Sequence, residues 1–217
     1  PLREIQEVKN AIKTYDNFQK YNPFSISDLL KAHSEMMKSL VSEAGKFRSG
    51  GVGVFDDDKA VHIAPPAEMV SELIENLFDW LKNSEDHPLI KSCVFHYEFE
   101  FIHPFADGNG RMGRLWQSLI LSKFNPLFQY LPVETMVYNN QQNYYEAIND
   151  SSAKNDSGIF VDFMLGEILK TLKLHQTSQS GRVNGRLNGR VNDVLEFIRN
   201  NQGANTNDIA KALNIPV

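Results

Sequence analysis

A single cysteine, Cys93, is all that the 217 residues carry, so an internal disulfide framework is excluded and no cysteine metal site forms from it alone. Its apolar neighbours point to packing. No apolar run reaches the roughly 20 residues a spanning helix needs. The N-terminus, Pro1-Leu2-Arg3-Glu4, has no signal-peptide core, and together these features predict a cytoplasmic chain with no membrane contact. The formal charge of −5 offers no general attraction to nucleic acid or anionic lipid, leaving only local basic patches. His33, His62, His87, His96 and His175 lack zinc-ligand spacing and read as surface or packed residues. What is present is ordinary: 41% hydrophobic and 23% charged residues describe a globular chain with one main domain.

Helical spacing dominates the pattern. Ile5, Val8, Ile12 and Tyr15 recur at intervals of three and four, predicting an opening helix with that stripe toward the core. A second helix is expected from a Ser27 cap to Gly45, carrying Leu29, Leu30, His33, Met36, Met37 and Leu40. Between Gly50 and Pro65 the texture changes to Val52, Val54 and Phe55, then Asp56-Asp57-Asp58-Lys59, then Val61 and Ile63, which reads as a short β-hairpin. The aspartate run is a solvated turn rather than a metal site. Helices follow after Pro66, after Pro88, after the loop at 103–110, at 142–149 and at 159–174. The run from Leu89 to Phe101 is apolar on more than one face, as in a helix at the centre of a bundle. The fold class is all-α with one small β-hairpin, plus a short C-terminal helical segment.

From Thr177 the chain turns polar. Gly181 to Asn192 repeats Gly-Arg-Val-Asn, Gly-Arg-Leu-Asn, Gly-Arg-Val-Asn, the composition of a linker, which sets domain limits at 1–176, 177–190 and 191–217. In the last segment Val191, Val194, Leu195 and Ile198, then Ile209, Ala210 and Leu213, suggest two short helices, the start of a helix-turn-helix. A recognition helix would lie beyond Val217, so DNA contact is expected only of a complete winged helix.

One stretch carries chemistry. His103-Pro104-Phe105-Ala106-Asp107-Gly108-Asn109-Gly110-Arg111-Met112-Gly113-Arg114 is a polar, glycine-rich loop between two apolar helices. Gly108 and Gly110 let the backbone turn tightly, and a helix starting there aims unpaired amides at one point, an anion-binding nest. Arg111 and Arg114 share a helix face and address more than one phosphate. Asp107 beside that nest needs an intervening cation, which makes it a Mg²⁺ ligand. His103 titrates near neutrality and can take a proton from an attacking hydroxyl, while Phe105 pins the loop into the core. A plain interhelical turn explains Gly108 but not His103.

The segment resembles the motif of the Fic family, H-x-F-x-[D/E]-G-N-G-R-x-x-R, with every specified position filled. The likeness runs from Leu2-Arg3-Glu4-Ile5-Gln6-Glu7-Val8 to about residue 175. It implies a Fic-type helical bundle that transfers AMP from ATP to a Ser, Thr or Tyr hydroxyl of a protein, with Mg²⁺ as cofactor. His103 would be the base and Asp107 the metal ligand. Phe105, Gly108, Asn109, Gly110, Arg111 and Arg114 would form the ATP-binding segment, with Asn109 on the α-phosphate, Arg111 on the β-phosphate and Arg114 on the γ-phosphate. Tyr144 and Tyr145 resemble residues near the adenine. Val52, Gly53, Val54, Val61, His62 and Ile63 resemble a flap that docks the target by strand-like pairing. Lysine stands where this chain has Gly108 in the kinase-like Doc branch, so nucleotidyl transfer is favoured over phosphorylation.

The family also implies self-modification and a homodimer as properties to test. Its inhibitory pattern, [S/T]-x-x-x-E-[G/N], is matched by Ser71-Glu72-Leu73-Ile74-Glu75-Asn76 in letters but not in placement. An inhibitory helix upstream of Pro1 would make this form less restrained than a longer one. Transfer of another nucleotide such as UMP, or nucleotide sensing without turnover by a DNA-associated regulator, are the alternatives.

Overall fold

Helix follows helix in the computed structural model, which describes residues 2–56 and 59–179, without the side chains of 53–63 and 175–179. The order is α1 (Leu2–Asp16), α2 (Ile26–Met36), β1 (Gly53–Asp56), β2 (Lys59–Ile63), α3 (Val70–Asn83), α4 (Pro88–Ile102), α5 (Asn109–Phe124), α6 (Val133–Asn139), α7 (Gln141–Lys154) and α8 (Gly158–Gln179). This is the helical architecture expected. The two strands pair antiparallel, Gly53 opposite Ile63 and Val54 opposite His62, with a register shift before Phe55 meets Ala60. The chain divides into two units, Pro1–Ile168 and Leu169–Val217, and every residue of the candidate site lies in the first. α8 continues to Gln179, and the rest of the expected linker and the helix pair at 191–217 lie outside the described residues.

α4 and α5 form the centre. Pro88 opens α4 where no amide partner is needed, and the His87 ring accepts the Leu89 N–H at 3.2 Å. Because α4 is apolar nearly all round, it must be covered on several sides; Cys93, Phe95, Phe99 and Ile102 are all buried. α5 supplies much of that cover with Met112, Leu115, Trp116 and Leu119, each fully buried. Leu29 and Met36 of α2 and Ile74 and Leu81 of α3 close the same core. Burying side chains of this size stabilises by about 1.5–3 kcal/mol each. Among the described residues no helix is long and apolar enough to cross a membrane.

Two local expectations need correction, and one helix was missed. α2 begins at Ile26, capped by Ser25, whose hydroxyl accepts the Asp28 N–H, not by Ser27; it ends at Met36, with Gly45 (φ +81°) in the turn beyond. The stripe on α1 faces outward: Ile5, Val8 and Ile12 are more than half exposed, while Asn10 and Thr14 are buried. Asn10 explains the rotation, since its amide donates to the Lys38 carbonyl at 2.8 Å, while the Thr14 hydroxyl bonds within the helix to Asn10 O at 2.8 Å. Polar anchoring to the turn after α2 sets which face of α1 is hidden. The short α6 was not foreseen at all.

Candidate active site

α4 stops where the chemistry begins. Pro104 disfavours helical backbone at the preceding residue, and His103 takes the left-handed conformation (φ 51°, ψ 60°), its N–H still bonded to Phe99 O at 3.0 Å. The His103 ring turns back on its own helix, with Nδ1 3.3 Å from the Glu100 carbonyl. A carbonyl only accepts, so this contact places the proton on Nδ1, the tautomer in which Nε2 is the acceptor nitrogen.

The loop that follows is held from beneath. Phe105 is fully buried, and its ring stacks on His33 with centroids 3.6 Å apart and planes 4° from parallel. Asn109 closes the loop reciprocally: its Oδ1 accepts the Phe105 N–H at 2.9 Å and its Nδ2 donates to Phe105 O at 2.8 Å. Gly108 has φ +91°, and a Cβ there would stand 2.7 Å from Met37 Sδ, so both backbone and space require glycine. Its carbonyl accepts the Met112 N–H at 3.0 Å, the first bond of α5, and the preceding amides remain available to an anion.

His33, read from sequence as a packed residue, supports this loop directly. The Gly45 N–H donates to Nδ1 at 2.8 Å, so Nε2 carries the proton and donates to the Asp107 carbonyl at 3.0 Å. Burial lowers its pKa, in keeping with a neutral ring.

The charged groups converge at the mouth. The Asp107 carboxylate accepts from Arg111 Nη2 at 3.3 Å and from Arg3 Nη2 at 3.4 Å, and its side chain is 42% exposed. Arg114 donates from Nε to Glu134 of α6, while its Nη1 lies 3.0 Å from where a Gly110 Cβ would be, so the guanidinium fork covers the start of α5. Tyr15 O–H donates to the other Glu134 oxygen at 3.3 Å.

Below lies a buried polar layer. His96 Nδ1 donates to Gln117 Oε1 at 2.7 Å, so Nε2 accepts from the Tyr144 hydroxyl at 3.1 Å. Burial pushes His96 down to about 3 and Glu100 up to about 7. Among the described residues Glu100 Oε1 has no hydrogen-bond partner, and it lies 3.8 Å from His96 Nε2; with burial holding His96 neutral, the contact is not an ion pair. Gly113 makes room for that oxygen, since a Cβ there would meet it at 2.7 Å.

His103, Asp107, Gly108, Asn109, Gly110, Arg111 and Arg114 are thus gathered at one helix start, and Phe105 anchors it from the core rather than facing a ligand. Tyr144 is the correction. It is 3% exposed with its hydroxyl engaged by His96, so it supports the site from inside, whereas Tyr145 is 44% exposed. Glu134, Arg3 and His33 were missed, because each reaches the loop from at least 20 residues away and no local spacing announces it.

Among the described residues no group of three or more His, Cys, Asp or Glu side chains could hold a metal. A cation here would rest on Asp107 with oxygens from a phosphate ligand, the donor set that Mg²⁺ accepts.

Residues 23–121, which carry this loop, match the Fic/DOC family. A crystal structure of a Fic family protein from Desulfovibrio desulfuricans is similar over 99% of this chain and 64% of its own, at 45% identity and a TM-score of 0.78. The protein adenylyltransferase Fic of Nematostella vectensis is 28% identical over 69% of this chain and 34% of its own length. For protein adenylyltransferase fic-1 of Caenorhabditis briggsae the identity is 36%, over 54% of this chain and 23% of that protein. The chain spans about a third or less of the length of these two curated relatives.

Proposed function

We propose that this chain transfers AMP from ATP to a hydroxyl of a protein. The observation that carries the reading is His103 with Nδ1 turned to the Glu100 carbonyl, at the entrance of a clipped loop whose helix presents Arg111 and Arg114. Relatives named as protein adenylyltransferases support it.

In the step proposed, the acceptor hydroxyl gives its proton to His103 Nε2 as its oxygen bonds to the α-phosphorus. The bond from that phosphorus to the bridging oxygen breaks, and pyrophosphate leaves. The amides at Gly108 to Gly110 and the two arginines stabilise the phosphate charge, while Asn109 holds the loop that presents those amides. Mg²⁺, held by Asp107, would neutralise phosphate charge when bound. Arg114 must exchange Glu134 for the γ-phosphate, and Asp107 must loosen its contacts with Arg3 and Arg111. The pair β1 and β2 acts as the flap, presenting backbone groups to an extended target segment.

The test is incubation with Mg²⁺ and ATP labelled at the α- or γ-phosphate, scoring label kept on protein for this chain and for His103→Ala. Label kept from α-labelled ATP alone, and lost in the variant, is expected. Retention only from γ-labelled ATP would mean phosphorylation; retention of neither would move the reading to another nucleotide, such as UMP, or to sensing without turnover.

A further inference from the structure

Arg48 is 3% exposed, an unusual place for a guanidinium. Its donors go to main-chain carbonyls. Nε donates to His103 O at 2.7 Å and Nη2 to Ile102 O at 3.2 Å, two acceptors that the end of α4 leaves without helical partners. Nη1 donates to Gly50 O at 2.9 Å and Nη2 to Pro65 O at 2.6 Å, which are the two feet of the hairpin, before β1 and after β2. The Arg48 amide adds a bond to Pro104 O at 2.9 Å. A cation at the negative end of α4 is favoured by the helix dipole, which helps to offset its burial.

We propose that Arg48 is a positioning residue that locks both feet of the hairpin to the backbone of His103, so that acceptor docking and the general base keep one fixed geometry. The proposal rests on the AMP-transfer reading, in which the hairpin docks the acceptor. One planar fork spans four carbonyls in two directions, which a lysine ammonium does not reproduce. Nucleotide binding is left to Gly108–Arg114, whereas the side-chain bonds of Arg48 go to Ile102, His103, Gly50 and Pro65.

The consequence is a division of effects. Arg48→Lys is expected to lower kcat/KM for a protein acceptor by about 10- to 100-fold, the scale that a displacement of about 1 Å produces. Its ATP affinity should stay within about twofold of the parent, because the phosphate-binding groups are untouched. Replacing residues 54–62 by a Gly-Ser linker also lowers transfer, and adding Arg48→Lys to that variant should then cost far less than it does in the parent. Full transfer by Arg48→Lys, or an undiminished loss in the linker variant, would overturn the coupling.

Native-state hydrogen exchange on the unmutated chain keeps the question decidable if Arg48→Lys does not fold. Amides at 50–65 and at 102–105 should open as one unit with one opening free energy. Two distinct opening energies would sink the proposal. That arm needs no catalysis, so a chain that fails to transfer AMP defeats the functional reading without deciding the clamp.

Discussion

His33→Phe separates stacking from hydrogen bonding beneath the loop. Phenylalanine keeps an aromatic plane against Phe105, whose ring lies 3.6 Å from that of His33, but removes both ring nitrogens. The Gly45 N–H then loses its acceptor and the Asp107 carbonyl its donor. A buried donor left unsatisfied costs about 1–3 kcal/mol and the second lost bond about 1 kcal/mol, so about 3 kcal/mol is expected. In a domain of this size that lowers Tm by about 6–12 °C, read by circular dichroism at pH 7.5. kcat for AMP transfer should fall by about tenfold, since the carbonyl released belongs to Asp107, the proposed metal ligand.

The pH dependence has a definite sign. Folding lowers the His33 pKa, so the unfolded chain takes up a proton near about pH 6.5 while the folded ring resists it. Stability supplied by His33 is complete above that pH and lost as pH falls toward the folded value. The gap between parent and His33→Phe is therefore widest at pH 7.5 and narrows in acid. A variant that melts within 1 °C of the parent at pH 7.5 with unchanged kinetics would refute the support role.

Two further substitutions test the charges around Arg114. Glu134→Gln keeps an acceptor for Arg114 Nε but removes the negative charge beside the phosphate site; the Glu134 side chain is 41% exposed, so the gain is about 1 kcal/mol, or a roughly fivefold lower KM for ATP. An unchanged or higher KM would show that Glu134 orients Arg114 rather than competing for it. Glu100→Gln should stabilise the chain at pH 8 relative to the parent and make little difference at pH 4.5. Burial raises Glu100 to about 7, so its contribution is present below the unfolded value of about 4.3 and lost as pH rises through the folded one. Equal urea stability of parent and variant at pH 8 would contradict a buried carboxyl whose ionisation costs stability.

The loop at 103–114 was legible because its parts are neighbours in sequence: a histidine at a helix end, two glycines and two arginines on the next helix turn. The periodicity of α3, α4 and α5 was legible for the same reason. Periodicity could not say which way α1 faces, because a stripe at Ile5, Val8, Ile12 and Tyr15 is only half of a contact, and the bond of Asn10 to Lys38 O sets the other face inward. Tyr144 misled likewise, since an aromatic residue with a hydroxyl suits a nucleotide pocket and a buried bond to His96 equally well. Glu134, His33 and Arg48 depend on contacts 20, 74 and 55 residues apart in the chain, which only the fold supplies.

The reciprocal bonds between Asn109 and Phe105 bear on the thermodynamics of nucleotide capture. They tie the two ends of five consecutive residues, Phe105 to Asn109, to each other. Ordering a free backbone costs about 1–2 kcal/mol per residue, and here that entropy is already lost when the chain folds. Under the proposed function ATP would meet a loop backbone already shaped, so the favourable energy of its phosphate contacts would appear as affinity and alignment instead of being consumed in shaping that backbone.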